Sequence, residues 1–240
     1  MIKRWPPRFN TLIRPVLIDR VERDHRETDQ AFRRRRVVVV IVLAVGATLL
    51  GVSLAVKPGH WAFYPLTVAL AATWVAGSFI SGRIHLGRIA LQNQLKRPIV
   101  PPILIGVAVG AFFILGSLAV RQVPLIRQYT ENVLAHARYG SLALVAIITV
   151  LNGIAEEIFF RGALFAAIGV KHPVAISTAV YGVATIATLN PMLVFSAVLL
   201  GLILGFQRRA TGGVLAPILT HITWSMIMLF GLPPIFAAAG

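Results

Sequence analysis

Seven long apolar runs, separated by short polar or basic segments, limit the folds open to this sequence. About 20 apolar residues in a helix cross a membrane core that is about 30 Å thick. Every backbone N–H and C=O group in lipid must be bonded within the protein, so runs of this length form helices. The sequence therefore predicts an all-α, polytopic membrane helix bundle of about seven transmembrane helices. The runs cover residues 37–56, 61–80, 99–120, 141–168, 173–189, 191–207 and 213–231.

The amino-acid composition agrees with a membrane protein. Hydrophobic residues make up 57% of the chain and charged residues only 13%, whereas about 25% of the residues in a soluble domain are charged. The sequence contains no cysteine, which excludes disulfides and thiolate metal sites.

Lysine and arginine are distributed unevenly along the chain. Eleven of the 23 lie in residues 1–36, and Arg33–Arg36 directly precede the first apolar run. If the N-terminus is cytoplasmic, the segments on that side hold 18 of the 23. We interpret Arg33–Arg36 and Arg208–Arg209 as anchors at the membrane surface. Cytoplasmic loops carry this excess, so we expect a protein of the cell (plasma) membrane with its N-terminus inside and its C-terminus outside. The basic segment suits anionic lipid headgroups, and its five acidic residues argue against nucleic acid as a partner.

The chain divides into three predicted regions. Residues 1–36 form a basic cytoplasmic tail, residues 37–136 hold the N-terminal transmembrane helices and an interfacial loop, and residues 137–234 form a C-terminal core. Apolar side chains recur at helical spacing in the loop 121–140, which predicts a short amphipathic helix in the membrane interface. These side chains are Ile126, Tyr129, Val133, Leu134 and Ala137.

The stretch NGIAEEIFFRGALF, residues 152–165, places three charges inside the fourth apolar run. Such charges are costly in lipid and are functional by default. Glu157 and Arg161 are four residues apart in the orientation favoured for a helical ion pair. Glu156 points about 100° away around the helix, which leaves it without this partner and makes it a candidate general base. A structural role, with Glu156 held by Asn152 or Arg161, is the alternative.

Other polar side chains are predicted at a similar depth in the last spans. His221 is the one histidine deep within an apolar run, and Ser225 follows it by four residues on the same helix face. Tyr181 and Thr185 share a face of the fifth run in the same way. Interhelical packing is the alternative role for His221 and Ser225, and Phe159 and Phe160 are expected to face lipid or to pack.

The segments EEIFFRG and APILTHITWS resemble motifs of the CPBP family, which includes the type II CAAX prenyl proteases and the bacteriocin-processing or Abi-like membrane proteins. The first motif, E-E-x-x-x-R, matches in full at Glu156, Glu157 and Arg161. The third motif, H-x-x-x-N/D, matches at His221 but has Ser225 at its last position. The second motif, F-x-x-x-H, aligns on YGVAT, with Tyr181 for the aromatic residue and Thr185 in place of histidine.

The resemblance implies roles for these positions. Glu156 would activate a water for peptide hydrolysis, with Glu157 and Arg161 as the supporting ion pair. His221, with Ser225, would stabilise the oxyanion. Threonine cannot titrate near neutral pH, so Thr185 implies weakened activity. Residues 137–234 would then be a CPBP-like protease core whose substrate is a membrane-associated peptide or protein.

A metal cofactor is not favoured by the sequence, although a divalent metal is possible. Catalytic zinc normally takes three protein ligands. The candidate ligands deep in the spans are Glu156, Glu157 and His221. Arg161 is expected to pair with Glu157, which leaves too few ligands for zinc.

Three functions remain open from the sequence. The first is an intramembrane endopeptidase of the CAAX-protease type. The second is a catalytically inactive membrane scaffold or substrate-binding pseudoprotease. The third is a small proton-coupled transporter that uses Glu156.

Overall fold

The computed structural model describes residues 12–23, 25–91 and 94–237. Helices make up most of this part of the chain, and one short antiparallel hairpin pairs Ile89 with Lys96. The elements are α1 (Arg14–Leu17), α2 (Asp29–Ala55), α3 (Phe63–Ser81), β1 (Ile89–Leu91), β2 (Gln94–Lys96), α4 (Val100–Val120), α5 (Pro124–Tyr139), α6 (Leu142–Glu157), α7 (Phe165–Ile168), α8 (Pro173–Thr185), α9 (Pro191–Thr211) and α10 (Leu215–Ala237). The fourth long helix has three parts, namely α6, a π-helical turn (Ile158–Leu164) and α7, and a 3-10 turn (Ile186–Thr188) extends α8.

Each predicted apolar run corresponds to a helix, so the all-α bundle is confirmed. In the described part of the chain, six helices are long and apolar enough to cross a membrane, and α8 with its 3-10 turn, Pro173–Thr188, is a shorter apolar helix. At 1.5 Å per residue this segment is about 24 Å long. It leads to Asn190, whose Nδ2 donates to the carbonyl of Tyr129 on α5 at 2.8 Å. The chain is therefore an integral membrane protein, and α8 reaches the end of the bundle at which α5 lies.

The first long helix begins earlier than the apolar pattern predicts. The Thr28 hydroxyl accepts from the amide of Ala31 and caps the helix, so the predicted start at residue 37 is wrong. Arg35 lies inside the helix and is 1% exposed, because its guanidinium pairs with Glu27 and donates to the Ser81 hydroxyl. The hydrogen bond from Arg35 lowers the pKa of Glu27.

The helix α9 also extends beyond its predicted end, to Thr211. Gly212 follows in the left-handed region at φ +75° and ends the helix. The predicted interpretation of Arg208 as an anchor at the membrane surface is wrong, because this side chain is buried. Its Nε donates to the carbonyl of Arg161 at 2.6 Å.

The helix predicted within residues 121–140 is confirmed as α5. Leu134 is buried, and the other four residues of the predicted apolar face are partly buried. The His136 ring is buried as well, with Nε2 3.1 Å from the carbonyl oxygen of Val56. α5 therefore packs against the bundle along the face that the spacing indicates.

Backbone hydrogen bonds close the end of the bundle opposite α5, which we call the basic end. The amide of Val21 donates to the carbonyl of Ala210 at 3.1 Å, and that of Val214 donates to the carbonyl of His85 at 2.9 Å. The guanidinium of Arg23 donates to the carbonyl of Arg209 at 2.8 Å. The described residues of the N-terminal segment therefore pack on the bundle, and α1 contributes the fully buried Val16.

Close backbone contact at the start of α10 gives a test of this packing. A Cβ atom added at Gly213 would lie 2.0 Å from the amide nitrogen of Gly87, so Gly213→Ala forces two backbone segments apart. We expect a loss of about 1–3 kcal/mol in the free energy of unfolding, as for other overpacked sites. Gly116→Ala is the matched control, because nothing lies within 4 Å of a Cβ there. Thermal unfolding in detergent measures both, and equal melting temperatures would contradict the contact.

Candidate active site

A cavity of about 260 Å³ lies within the bundle, with walls from α2, α3, α5, α6, α8, α9 and α10. Most of its lining is apolar. Four of the predicted site residues line it, namely Glu156, Thr185, His221 and Ser225, and Tyr181 and Asn152 lie beside them. Glu157 and Arg161 are fully buried behind the wall.

The helix that carries the charged cluster changes type directly after Glu157. Residues Ile158–Leu164 form a π-helical turn before the α-helix resumes at Phe165. Every side chain from Phe159 to Phe165 is buried. The fourth long helix is thus enclosed by protein at this level, and π-helical turns of this kind are frequent at functional sites.

Glu157 accepts hydrogen bonds from two helices. Its Oε1 lies 3.0 Å from Nη1 of Arg161 and 2.9 Å from Nδ1 of His221. The Glu157 and Arg161 side chains are both 0% exposed. The structure therefore contains the ion pair that the spacing predicts, and it adds His221 as a second partner of Glu157.

Glu156 is not left without a partner, so that part of the sequence interpretation is wrong. The phenol of Tyr181 on α8 donates to Oε2 of Glu156 at 2.6 Å. The alternative partners from the sequence were Asn152 and Arg161, but Asn152 Nδ2 donates to the carbonyl of Ile148 and Arg161 bonds to Glu157. Glu156 remains partly exposed toward the cavity, which leaves it accessible to a small molecule there.

Thr185 and Ser225 both lie on the cavity wall in buried positions. The Thr185 hydroxyl donates to the carbonyl of Tyr181, one turn earlier in the same helix, at 2.8 Å. This bond is internal to α8 and ties up the hydroxyl hydrogen. Thr185 thus reaches the site that the sequence predicts for it, but its hydroxyl serves the helix backbone.

Aromatic rings form a layer beneath Glu156 on the side of the basic end. Trp74 stacks on Phe159 with ring centroids 4.4 Å apart, and Phe160 packs on Tyr181 at 4.5 Å. The Arg161 guanidinium lies over the Tyr181 ring at 4.7 Å. Of the two roles expected for Phe159 and Phe160, packing is correct and facing lipid is wrong. We call these four rings the aromatic layer.

Within residues 12–23, 25–91 and 94–237, no three His, Cys, Asp or Glu side chains are grouped so that they could hold a metal ion. Glu157 and His221 bond to each other, and Glu156 bonds to Tyr181. The carboxylate of Glu156, the phenol of Tyr181 and the imidazole of His221 all line the cavity.

The comparison with protein families identifies the part of the chain that holds this site. Residues 138–227 match the family model of the type II CAAX prenyl endopeptidases, Rce1-like. The predicted resemblance is confirmed over this segment, which contains the complete polar cluster from Glu156 to Ser225. No curated protein and no solved structure matches the chain.

Tyr181, like His221, makes a contact in the Rce1-like segment that the sequence did not reveal. The second motif placed it as an aromatic residue on the same helix face as Thr185, without a hydrogen-bond partner. A signal was nevertheless present, since a phenol in an apolar span needs a polar partner when buried. Glu156, in the span before that of Tyr181, was a hydrogen-bond acceptor to which no donor had been assigned.

Because Arg161 and His221 share the buried carboxylate of Glu157, we expect Arg161→Ala and Glu156→Gln to differ in stability. Arg161→Ala removes the cation beside the fully buried Glu157, and breaking a buried pair in this way costs about 3–5 kcal/mol. Glu156→Gln keeps an oxygen that accepts from Tyr181, so it should cost less. Thermal unfolding in detergent should give the lower melting temperature for Arg161→Ala, and equal values for the two variants would count against this division of roles.

Proposed function

We propose that the chain is an intramembrane endopeptidase that hydrolyses a peptide bond with a water activated by Glu156. The observation that carries the proposal is the placement of a partly exposed Glu156 on the same cavity wall as His221, within the Rce1-like segment. The fold provides the enclosure that such chemistry needs. We further propose that the protein resides in the plasma membrane with a cytoplasmic N-terminus, and that its partners are the lipid bilayer and a membrane-associated peptide.

The hydrogen bond from Tyr181 occupies Oε2 of Glu156 and leaves Oε1 to accept a proton from water. The water oxygen would then form a bond to the scissile carbonyl carbon. When the tetrahedral intermediate collapses, the C–N bond breaks and the proton passes from Glu156 to the leaving amine. Tyr181 acts in this scheme as a positioning residue, because it touches the base and not the reacting atoms.

The bond to Glu157 fixes the orientation of His221. A carboxylate can only accept, so Nδ1 of His221 carries a hydrogen and donates it in the bond to Glu157. This leaves Nε2 for the substrate. In the doubly protonated form Nε2–H can donate to the developing oxyanion, and the neighbouring Glu157 compensates the imidazolium charge. In this scheme Glu156 acts on the attacking water, and His221 acts on the carbonyl oxygen.

A binding function without turnover is the second candidate, and the Thr185 contact favours it. The Thr185 hydroxyl donates to a backbone carbonyl, and threonine supplies no titrating group near neutral pH. A pseudoprotease of this kind would retain the cavity and bind a peptide without releasing products.

A cleavage assay separates the two candidates. Purified protein in liposomes is mixed with a library of membrane-tethered peptides, and the products are read by mass spectrometry. We expect cleavage that Glu156→Gln abolishes, since the amide cannot accept the water proton. Tyr181→Phe is the matched control: it keeps the base, so activity should fall but remain measurable. Peptide binding without products in the wild type would support the second candidate instead.

Restoring the second-motif histidine should raise the rate of cleavage. A positioned general base typically contributes 10²–10⁴-fold, and Thr185→His adds an imidazole to the wall that carries Glu156 and His221. The gain should vanish when Thr185→His is combined with Glu156→Gln, because groups that act on one water are not additive. Ser225→Asn should help less, since it restores a donor and not a base.

This histidine variant also has an outcome that would count against the missing-base account. If Thr185→His binds the peptide as the wild type does and still releases no products, the missing histidine does not explain the lack of cleavage.

A further inference from the structure

Arg208 brings a positive charge into the protein at the basic end. Its side chain is 5% exposed, and its Nε donates to the carbonyl of Arg161 at 2.6 Å. A guanidinium has five N–H donors, and this is the one hydrogen bond that Arg208 donates to the described part of the chain. The Phe165 ring centroid lies 5.1 Å from the guanidinium carbon, a contact that compensates only part of the cost of burial.

The charge of Arg208 has no counter-ion in the protein. Within residues 12–23, 25–91 and 94–237, the ion pairs of the structure do not include Arg208. Burying a charge is costly unless it is paired. The two terminal nitrogens of Arg208 thus lack the anion that their burial calls for.

Arg23 adds a second guanidinium beside Arg208. Its Nη2 donates to the carbonyl of Arg209 at 2.8 Å, and its Nη1 lies 3.5 Å from the carbonyl oxygen of Ala210. These two carbonyls belong to the residues that directly follow Arg208. Neutral oxygens satisfy hydrogen bonds of Arg23 but leave its charge uncompensated.

The imidazole of His85 lies in the same cluster and shows that its surroundings are positive. Burial lowers the pKa of His85, and the charges of Arg208, Arg35 and Arg83 lower it further, against the opposing effect of Glu27. Both carboxylate oxygens of Glu27 accept from Arg35. The acidic side chain that acts on His85 is therefore already paired with one arginine, and it leaves Arg208 and Arg83 uncompensated.

The position of Arg208 along its helix indicates which anions could reach it. Arg208 lies in the last turn of α9, a helix long and apolar enough to cross a membrane. The phosphate groups of phospholipids lie directly outside the apolar core, and basic pockets between transmembrane helices bind anionic headgroups. Arg208 is thus placed at the depth where a phosphate meets the end of a membrane helix.

We propose that Arg208, together with Arg23 and Arg83, forms a binding site for a phosphate group at the basic end. The planar guanidinium matches phosphate with two parallel, charge-assisted hydrogen bonds. Arg23 and Arg83 are exposed, so they can receive the anion, while the buried Arg208 supplies donors that the fold holds in place. Two sources provide this chemistry, the headgroup of an anionic phospholipid and free phosphate. The site lies apart from the cavity beside Glu156 and does not depend on the proposed protease function.

Thermal unfolding of the purified full chain in a nonionic detergent measures the binding. Phosphatidylglycerol in mixed micelles is one arm, inorganic phosphate is the second, and phosphatidylcholine, which has no net charge, is the control lipid. A ligand that binds only the folded chain raises the melting temperature, by about 5–10 °C at a concentration 100-fold above Kd for a chain of this size. Native mass spectrometry of the same samples counts the lipid molecules that stay bound.

Three variants distinguish a built site from general attraction to a basic surface. Arg208→Lys keeps the charge but loses the planar fork, and Arg83→Gln removes a charge at the exposed edge of the site. Arg33→Gln is the matched control, because it removes an exposed arginine from the same end of the bundle, outside the cluster. We expect Arg208→Lys and Arg83→Gln to lose more than half of the ligand-induced shift and Arg33→Gln to retain it. If Arg208→Lys fails to fold, Arg83→Gln carries the test, because its side chain is exposed.

The two arms also identify the source of the phosphate. A shift with phosphatidylglycerol alone supports a lipid headgroup site, and a shift with inorganic phosphate supports a site for the free anion. The proposal is overturned if neither ligand shifts the melting temperature, if phosphatidylcholine shifts it as much as phosphatidylglycerol, or if Arg33→Gln loses as much of the shift as Arg83→Gln. None of these measurements requires catalysis, so the result stands whether or not the chain cleaves peptides.

Discussion

The buried carboxylate of Glu157 is the interaction on which the site depends. A charge in a low-dielectric layer is tolerated only with partners that satisfy it. Glu157 finds one partner on its own helix, Arg161, and one on α10, His221. The bond to His221 ties the fourth long helix to the last one. Arg161 in turn lies over the Tyr181 ring, so the same charge also helps to place the residue that binds Glu156.

Lipid makes several of these features predictable from the sequence. The hydrocarbon core requires long apolar helices, so the spans could be located from the positions of polar residues alone. The Glu157–Arg161 pair was equally predictable, because both residues lie on one helix and their spacing fixes their separation. The amphipathic helix α5 could be predicted for the same reason, from the spacing of Ile126, Val133 and Leu134.

Contacts between helices were less predictable. An apolar span has nearly the same composition on all its faces, so the sequence does not show how each helix is rotated about its axis. The bonds from Tyr181 to Glu156 and from His221 to Glu157 both depend on that rotation. Arg35 and Arg208 were misjudged for a related reason, because a run of basic residues beside a span suggests a solvated surface. In the fold, Glu27 and the carbonyl of Arg161 compensate their burial.

The π-helical turn at Ile158–Leu164 bears on how the length of this helix can vary. A residue inserted into a regular α-helix turns everything after it by about 100°, which in a packed membrane bundle would misplace a whole face. A π-helical turn accommodates the additional residue locally. The face that presents Glu156 and Glu157 is thereby set independently of the face of α7 that meets the N-terminal segment. Insertions and deletions in the C-terminal part of this helix can accordingly be absorbed without rotating the carboxylates away from α8 and α10.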